Sequence, residues 1–316
     1  MNILVTGATG FIGQALCRLL LDQGHVVHGV SRSMTTSVPG LISHVGQLND
    51  SAFLKSILVN VDCVIHLAGR AHMMSDKSPN SMADFRTVNV DLTTALAKSC
   101  LESNIQRFIF ISSIGVNGVF TDGVPFNETS IPAPVAEYAI SKYQAECALK
   151  SIFFESSIAL VIIRPPLVYD VNAPGNFSRL LKLVSTGLPI PTGRLENKRS
   201  IVSLSNLVDF IALSAVHPAA ENQLFLISDG QSVSTSSIVS ALKRGMKSST
   251  FQFWLPLKLI ELCSLLVGRH SMYVQLYRSL EIDAGKAHQL LGWSGEGATV
   301  QSLEQIGATY KSKRLC

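Results

Sequence analysis

A phenol and an ammonium stand four residues apart at Tyr138 and Lys142, so on a helix the two side chains share one face. A free phenol has a pKa near ~10 and is a poor acid-base catalyst at neutral pH, but a neighbouring ammonium favours the phenolate. Ser113, which follows an apolar run, can hydrogen-bond a substrate oxygen beside the tyrosine. The three residues predict transfer of a hydroxyl proton while hydride moves to or from a nicotinamide. A Tyr-x-x-x-Lys pair alone is more often a surface pair, so the hypothesis requires a cofactor site.

A glycine-rich loop near the start of the chain is a candidate for that site. The apolar run 2–6 is followed by Gly7-Ala-Thr-Gly10-Phe-Ile-Gly13, then by helical periodicity and a second strand over 25–30, which is the start of a parallel βαβ unit. Gly7 permits the tight turn, Gly10 lets the backbone approach a pyrophosphate, and Gly13 lets helix and strand pack closely. The loop therefore predicts dinucleotide binding at the helix start. Its other candidate cofactor contacts are Thr9, Phe11 and Ile12.

The end of the second strand bears on which dinucleotide is bound. An NAD-specific site usually has a carboxylate there, about 20 residues beyond the glycines, that binds the ribose 2′-hydroxyl. This chain has Ser31 and Arg32 instead, and a hydroxyl with a guanidinium can hold a 2′-phosphate. We therefore favour NADP(H) as the cofactor. The alternative is NAD(H), with Arg32 as a solvated residue that stacks on adenine.

Alternating apolar runs predict the fold class. Residues 61–66 and 106–111 are typical of buried strands, with a helix over 81–103 between them. The alternation predicts an α/β fold: a doubly wound parallel (Rossmann) sheet with right-handed crossovers and a smaller mixed α/β C-terminal substrate lobe. Ligands in such sheets bind beyond the carboxyl ends of the strands, which is where the glycine loop, Gly69 and Ser113 fall.

The same rhythm predicts the domain organisation. It is interrupted after Arg164-Pro165-Pro166. We expect a dinucleotide-binding domain over 1–165 and a second unit over 166–316 that mainly binds substrate. About 200–230 of the second unit is expected to return to the sheet.

Composition narrows the classes of partner. The net charge of +4 is spread along the chain without a block of Lys or Arg, which argues against a nucleic-acid partner. The six cysteines include no CxxC pair and no Cys/His ligand spacing, so we expect no metal and reduced core thiols. These features predict a cytoplasmic protein.

The mean hydropathy of +0.31 raises the question of a membrane. No run of ~18 or more uncharged apolar residues is present, which argues against a spanning helix. The most apolar stretch, 251–267, is interrupted by Lys258 and Glu261. We expect it to form a packed helix of the second lobe. The alternative is an interfacial helix that rests on the inner membrane.

Over essentially its whole length the chain resembles the extended short-chain dehydrogenases/reductases, in the nucleotide-sugar epimerase/dehydratase group. The motifs that carry the resemblance are Gly7-x-x-Gly10-x-x-Gly13, His66-Leu-Ala-Gly69, Asn89, Ser112-Ser113, Tyr138-x-x-x-Lys142 and Arg164-Pro-Pro. The resemblance implies that Ser113, Tyr138 and Lys142 are the catalytic triad, with Lys142 also on the nicotinamide ribose. The further cofactor contacts that it implies are Leu48, Leu67, Ala68, Gly69 and Asn89.

The resemblance also implies a substrate site and an assembly. Asn176 is expected near the phosphates or sugar of a UDP-sugar, Arg199 on the diphosphate, and Arg278 as a second phosphate contact. After the Gly69 turn, Arg70 and His72 are expected to reach the sugar. A homodimer is expected through helices at about 82–101 and 138–152.

Two departures from the family pattern affect the expected activity. Gln47-Leu48 stands where the family often has Asp-Leu, so a polar adenine contact is missing there. Ile114-Gly115 stands where the 4,6-dehydratases of the family have an acidic pair, which argues against dehydration, and decarboxylases of the family likewise carry an acid that this chain lacks.

With dehydration and decarboxylation set aside, the resemblance implies oxidoreduction at C4 of a UDP-hexose or UDP-N-acetylhexosamine. Because Ser31-Arg32 favours NADP(H), we favour a UDP-4-keto-sugar reductase of bacterial polysaccharide biosynthesis. The alternative is a UDP-glucose or UDP-N-acetylglucosamine 4-epimerase with tightly bound NAD. A non-catalytic NADP(H)-binding sensor is a third hypothesis, and retention of the triad argues against it.

Overall fold

A parallel sheet of seven strands lies at the centre of the computed structural model, which describes residues 1–33, 38–70, 81–295 and 297–315. The strands of the described chain are β1 (Asn2–Thr6), β2 (Val26–Ser31), β3 (Ile42–Val45), β4 (Cys63–His66), β5 (Arg107–Ile111), β6 (Ala159–Arg164), β7 (Leu167–Tyr169), β8 (Ile201–Ser203) and β9 (Leu224–Leu226). The sheet has the order β3-β2-β1-β4-β5-β6-β9, while β7 and β8 form a separate parallel pair.

The strand order confirms the predicted fold class. Its first six positions, 3-2-1-4-5-6, are those of a doubly wound dinucleotide-binding sheet. The central strands are apolar on both faces because helices cover both, and their register places Ile65 beside Ile109 and Ile109 beside Val161.

The helices form one layer on each face of this sheet and a third group in the second lobe. In the described residues they are α1 (Phe11–Asp22), α2 (Ser51–Ile57), α3 (Ser81–Arg86), α4 (Leu92–Leu101), α5 (Glu137–Phe153), α6 (Asn176–Ser185), α7 (Leu204–Val216), α8 (Thr235–Met246), α9 (Leu257–Leu266), α10 (His270–Tyr277), α11 (Gly285–Leu291) and α12 (Thr299–Leu315). Helices α1 and α7 pack on one face, and α2, α4 and α5 pack on the other. The third group, α6, α8 and α12, has its own core around Phe177, Leu242 and Leu303.

The helix predicted over 81–103 is interrupted in the structure. A π-helical turn, Thr87–Asp91, separates α3 from α4. Such turns cluster at functional sites, and this one carries the buried Asn89. Apolar periodicity did not reveal it, because the pattern continues on both sides of the turn.

The expectation of a packed helix within 251–267 is wrong in one respect. The segment does form a helix, α9, but none of its ten residues is buried. Leu262 and Leu266 are 54% and 78% exposed. The helix contacts the rest of the protein mainly through Ile260, which packs on Tyr273 and Tyr277.

None of the helices described combines the length and the hydropathy that crossing a bilayer requires.

The contact between α8 and α12 gives a first prediction. A Cβ on Gly245 would lie 1.9 Å from the carbonyl oxygen of Glu304 and 2.8 Å from the backbone nitrogen of Ala308. We expect Gly245→Ala to push the two helices apart and to lower the free energy of unfolding by about 1–3 kcal/mol in chemical denaturation. Gln301→Ala, at an exposed position of α12, is the control and should change it by less than about 0.5 kcal/mol. Equal stability of the two variants would contradict this account of the contact.

Candidate active site

The glycine loop between β1 and α1 is shaped by close backbone approaches. Gly7 has a φ of +73°, and a Cβ there would lie 2.8 Å from the backbone nitrogen of Ala68, at the end of β4. A Cβ on Gly13 would lie 2.2 Å from the carbonyl oxygen of Gly7. Gly10 caps α1 without a side-chain acceptor, so no cap competes for the amides of the first helical turn. The loop fits a pyrophosphate, since side chains at these glycines would fill the cradle.

The other predicted residues of this loop have different surroundings. Thr9 accepts a hydrogen bond from Gln14 Nε2 through its carbonyl oxygen, at 2.9 Å. Ile12 packs against the core of the sheet, whereas Phe11 packs against the core of the second lobe. Phe11 therefore connects the glycine loop to the second lobe.

At the end of β2, Ser31 and Arg32 lie in unlike environments. Ser31 is buried, and its hydroxyl donates to the carbonyl oxygen of Ser33 at 2.7 Å. Arg32 is exposed. Leu48 is buried in the core that contains Leu4 and Val30. The Ser31 proton is therefore used within the turn, which weakens the argument for a 2′-phosphate donor at that position.

Asn89 connects the end of β4 to α5. Its Oδ1 accepts from the backbone nitrogen of Arg70 at 2.7 Å, and its Nδ2 donates to the Arg70 carbonyl at 3.1 Å and to Ser141 Oγ at 2.9 Å. A Cβ on Gly69 would lie 3.1 Å from Asn89 Oδ1 and 3.8 Å from Lys142 Nζ. These contacts bring three of the predicted cofactor residues together, and they explain why a side chain at Gly69 would disturb them.

The loop that carries Ser113 packs against the start of α5, the helix that carries Tyr138. The Ser113 hydroxyl oxygen accepts from the backbone nitrogen of Gly115 at 3.1 Å. A Cβ on Gly115 would lie 3.4 Å from Ser113 Oγ and 3.2 Å from the Cβ of Ala139, the residue after Tyr138. The glycine thus lets the loop that follows β5 pack against the start of α5. Tyr138 is half-buried there, with its ring edge-on to Phe85 at 6.2 Å between centroids.

Burial is the main cause of the pKa shifts of Tyr138 and Lys142. It lowers the pKa of Lys142 to about 7, a shift that the Glu146 carboxylate opposes. The Lys142 ammonium lies on the face of Phe110, 4.0 Å from the ring centroid. Burial also raises the pKa of Tyr138 to about 12. The direction expected from the adjacent ammonium is therefore not found, because desolvation of the phenolate outweighs that attraction.

A neutral histidine lies close to the same lysine. Burial, and after it the charge of Lys142, lowers the pKa of His66 to about 3. Its Nδ1 lies 2.7 Å from Thr6 Oγ1 and its Nε2 lies 2.8 Å from Thr93 Oγ1. The imidazole therefore joins β1, β4 and α4 without adding a second positive charge.

A buried ion pair that the sequence did not reveal lies one turn beyond Lys142. Glu146 and Arg164 are 0% and 2% exposed, and the carboxylate accepts from Arg164 Nε at 2.9 Å and from Nη2 at 2.5 Å. Ser112 Oγ donates to the same carboxylate at 2.5 Å, and Arg164 Nη1 donates to Asn117 Oδ1 at 2.9 Å. The sequence feature that could have indicated this pair is the position of Glu146, four residues after Lys142 and therefore on the same face of the helix.

One of the predicted substrate residues of the second lobe, Arg278, lines a cavity of about 470 Å³, and Arg199 is hydrogen-bonded to its backbone. Arg194, Trp254 and Arg278 line it. Arg199 Nη1 donates to the carbonyl oxygen of Arg278 at 3.3 Å, and burial lowers the pKa of Arg199 to about 10. The Arg278 guanidinium lies over the Phe120 ring, 4.3 Å from its centroid.

The other predicted substrate residues lie elsewhere. Asn176, exposed at the start of α6, donates to Gln275 Oε1 at 2.8 Å. Arg70 forms an ion pair with Asp84 at 3.3 Å, next to the Phe85 ring that faces Tyr138. His72 lies outside the described residues.

Comparisons with known proteins agree with this geometry. The model of the NAD dependent epimerase/dehydratase family matches residues 3–227. A UDP-glucose 4-epimerase of Vibrio cholerae is 38% identical over 312 residues, covering 98% of this chain and 95% of that protein. The structure of Thermotoga maritima UDP-glucose 4-epimerase with UDP-glucose has a TM-score of 0.80 at 23% identity, covering 100% of both chains. A short-chain dehydrogenase/reductase superfamily protein of Agrobacterium tumefaciens with bound NAD has a TM-score of 0.80 at 19% identity, covering 100% of this chain and 98% of that one.

The Glu146–Arg164 pair gives a second prediction. Glu146→Gln leaves the buried guanidinium without a counter-charge, so we expect the free energy of unfolding to fall by about 3–5 kcal/mol in chemical denaturation. Glu155→Gln, at an exposed acid just beyond α5, is the control and should have little effect. A Glu146→Gln variant as stable as the control would show that the ion pair is dispensable.

Proposed function

The chain belongs to the NAD dependent epimerase/dehydratase family, and on that premise we propose that it is an NAD-dependent 4-epimerase of a UDP-sugar. The observation that supports the proposal most is that the Ser113 loop packs against the start of α5, the helix of Tyr138 and Lys142, while Lys142 Nζ lies 3.8 Å from the Cβ position of Gly69, beside the glycine loop. The V. cholerae UDP-glucose 4-epimerase, similar over 98% of this chain, supports the choice of reaction.

In the proposed mechanism a bound nicotinamide dinucleotide supplies the group that accepts and returns hydride. Tyr138 removes the proton of the C4 hydroxyl as the sugar is oxidised and returns a proton to the C4 oxygen as it is reduced. Ser113 hydrogen-bonds that oxygen and orients it toward the phenol. Lys142 in its protonated form supplies a positive charge that opposes the effect of burial on the Tyr138 phenol, and its contact with the Phe110 face sets where that charge lies.

The cavity of the second lobe is the candidate site for the UDP group. Arg194 and Arg278 line it, and Arg199 is hydrogen-bonded to the backbone of Arg278. Guanidinium groups suit a diphosphate because each offers several donors and keeps its charge. The T. maritima neighbour was solved with UDP-glucose, which supports a UDP-sugar as the class of ligand.

A UDP-4-keto-sugar reductase that uses NADP(H) is the second candidate. Ser31 and Arg32, with no carboxylate at the end of β2, favour it. Against it, the Ser31 hydroxyl proton is donated to the Ser33 carbonyl, and the V. cholerae relative is named as an epimerase. We therefore rank NAD-dependent epimerisation first.

Substitution of the phenol tests the chemistry. We expect Tyr138→Phe to lower kcat by about 10²–10⁴-fold for interconversion of UDP-glucose and UDP-galactose, because the proton acceptor is removed while the ring is kept. Tyr143→Phe, five residues along the same helix, is the matched control and should retain wild-type kcat. Unaltered turnover by Tyr138→Phe would remove the phenol from the mechanism and revive the sensor hypothesis.

The nucleotide released on denaturation separates the two candidates. We expect the purified protein to release close to one NAD⁺ per chain, and to interconvert UDP-sugars without net change in the absorbance of reduced nicotinamide. Gly7→Ala should lose the bound nucleotide, since its Cβ would press on the Ala68 backbone. Gly24→Ala is the matched control, because that glycine also has a positive φ but no atom within 4 Å of its Cβ position. Release of no nucleotide, with substrate-dependent oxidation of NADPH, would establish the reductase instead.

A further inference from the structure

Exposed apolar side chains are concentrated in one segment of the second lobe. Eight of the 26 large apolar residues that are exposed in the described chain lie between 251 and 267. We name them the apolar strip: Phe251, Trp254, Leu257, Leu259, Leu262, Leu265, Leu266 and Val267, each 45–78% exposed. Scattered exposed apolar residues need no explanation, but a contiguous set marks an interaction surface.

Helix α9, the main part of the apolar strip, turns apolar side chains to solvent and partly buries polar ones, the reverse of an ordinary surface helix. Ordinary surface helices turn polar residues to solvent and apolar ones to the core. In α9 the polar Glu261 and Ser264 are only partly exposed, whereas Leu262 and Leu266 are well exposed. Lys258 is the one charged residue on the outward face. The sequence therefore places leucines where a water-facing helix would have charges.

Exposed cations surround the apolar strip. Lys258 lies between Leu257 and Leu259, and Arg269 lies two residues beyond Val267, with its backbone nitrogen bonded to the Ser264 carbonyl at the end of α9. Arg194 shares the 470 Å³ cavity with Trp254 and Leu257. Exposed acids nearby are Asp122 and Glu196, both on that cavity.

At its other end the apolar strip approaches a second cationic group. Lys247, Lys311 and Arg314 line a separate cavity of about 510 Å³, together with Ser249, two residues before Phe251. Cations thus lie at both ends of a surface that exposes Trp, Phe and Leu. That combination is typical of segments that lie in the headgroup region of an anionic bilayer.

We propose that the apolar strip binds the surface of an anionic phospholipid bilayer, with α9 lying in the interface. Lys258 and Arg269 meet the phosphates, and the leucines and Trp254 enter the boundary between headgroups and acyl chains. Charge favours this occupant over a second copy of the chain, because the exposed charged residues within 251–269 are Lys258 and Arg269, and pairing two such segments would bring like charges together. Trp254 and Leu257 also line the 470 Å³ cavity, so that cavity would open beside the membrane.

The two tryptophans make the proposal testable by fluorescence. Trp254 is 59% exposed, whereas Trp293 is partly buried and packs edge-on against the core residue Phe210, 4.9 Å between ring centroids. With vesicles of phosphatidylcholine and phosphatidylglycerol that carry brominated acyl chains, we expect quenching of the wild-type protein. The Trp254→Phe variant should show none, since Trp293 packs on the core of the sheet and not in the apolar strip. Quenching that survives in Trp254→Phe would overturn the assigned orientation.

Co-sedimentation with the same vesicles, unbrominated, measures the binding. We expect a Leu262→Ser/Leu266→Ser variant to bind at least about tenfold more weakly than the wild type. A Val59→Ser/Val216→Ser variant is the matched control, because these side chains are 62% and 49% exposed before β4 and at the end of α7, outside the second lobe, and should not matter. Lys258→Glu/Arg269→Glu should also weaken binding, most strongly at low salt.

Three outcomes would overturn the proposal. The first is full recovery of the wild type in the supernatant with phosphatidylglycerol vesicles. The second is equal binding to vesicles of phosphatidylcholine alone, which would remove the role of the cations. The third is a wild-type oligomer that the Leu262→Ser/Leu266→Ser variant dissociates in light scattering, which would make the strip a contact between copies. Turnover of UDP-glucose in solution should be unchanged in the Leu262→Ser/Leu266→Ser and Lys258→Glu/Arg269→Glu variants, whose residues do not line the cavity, so a failure here is distinct from a failure of the proposed activity.

Discussion

The burial of the Lys142 ammonium is the constraint on which the candidate site depends. A charge removed from water is costly unless neighbouring groups compensate it. Here the compensation is the face of Phe110 and the carboxylate of Glu146, and burial still lowers the lysine pKa to about 7. Glu146 is itself buried and requires Arg164, whose remaining donors reach Asn117. The buried cation on α5 therefore requires particular side chains near the ends of β5 and β6 to compensate its charge.

The segment that follows Ser113 connects this edge of the sheet to the second lobe. The Thr121 backbone nitrogen donates to the Ser279 carbonyl at 2.8 Å, and that of Phe126 donates to the Glu281 carbonyl at 2.9 Å. The same stretch of the second lobe contains Arg278, which lines the cavity. A displacement of the cavity wall would therefore be transmitted along backbone hydrogen bonds toward Ser113. The glycine loop has a connection of its own, because Phe11 packs against the core of the second lobe.

Much of the fold follows from periodicity, whereas the details of the site do not. The strands and glycine turns are local signals, so the parallel sheet and the helix that carries Tyr138 could be predicted from the sequence. The role of Glu146 could not, because it depends on Arg164, a partner from another strand that only the folded chain brings near. The exposure of α9 was also unforeseen: an apolar segment predicts burial, and only the tertiary structure shows that nothing in the described chain covers it. The predicted direction of the Tyr138 pKa shift was wrong for the same reason, since desolvation depends on the whole surrounding structure.

The π-helical turn at Thr87–Asp91 lets α3 and α4 direct their side chains toward two different parts of the protein. A π turn holds about one residue more than an α turn, so the helix beyond it is out of phase by roughly 100° with the helix before it. Phe85 and Leu96 are 11 residues apart and would lie on one side of an uninterrupted α-helix. With the phase change, Phe85 faces Tyr138, while Leu96 packs in the core on the face of the sheet that α2, α4 and α5 cover. Deletion of a single residue within this turn would restore a continuous α-helix. Either Phe85 would then lose its contact with Tyr138, or Leu96 would leave the core.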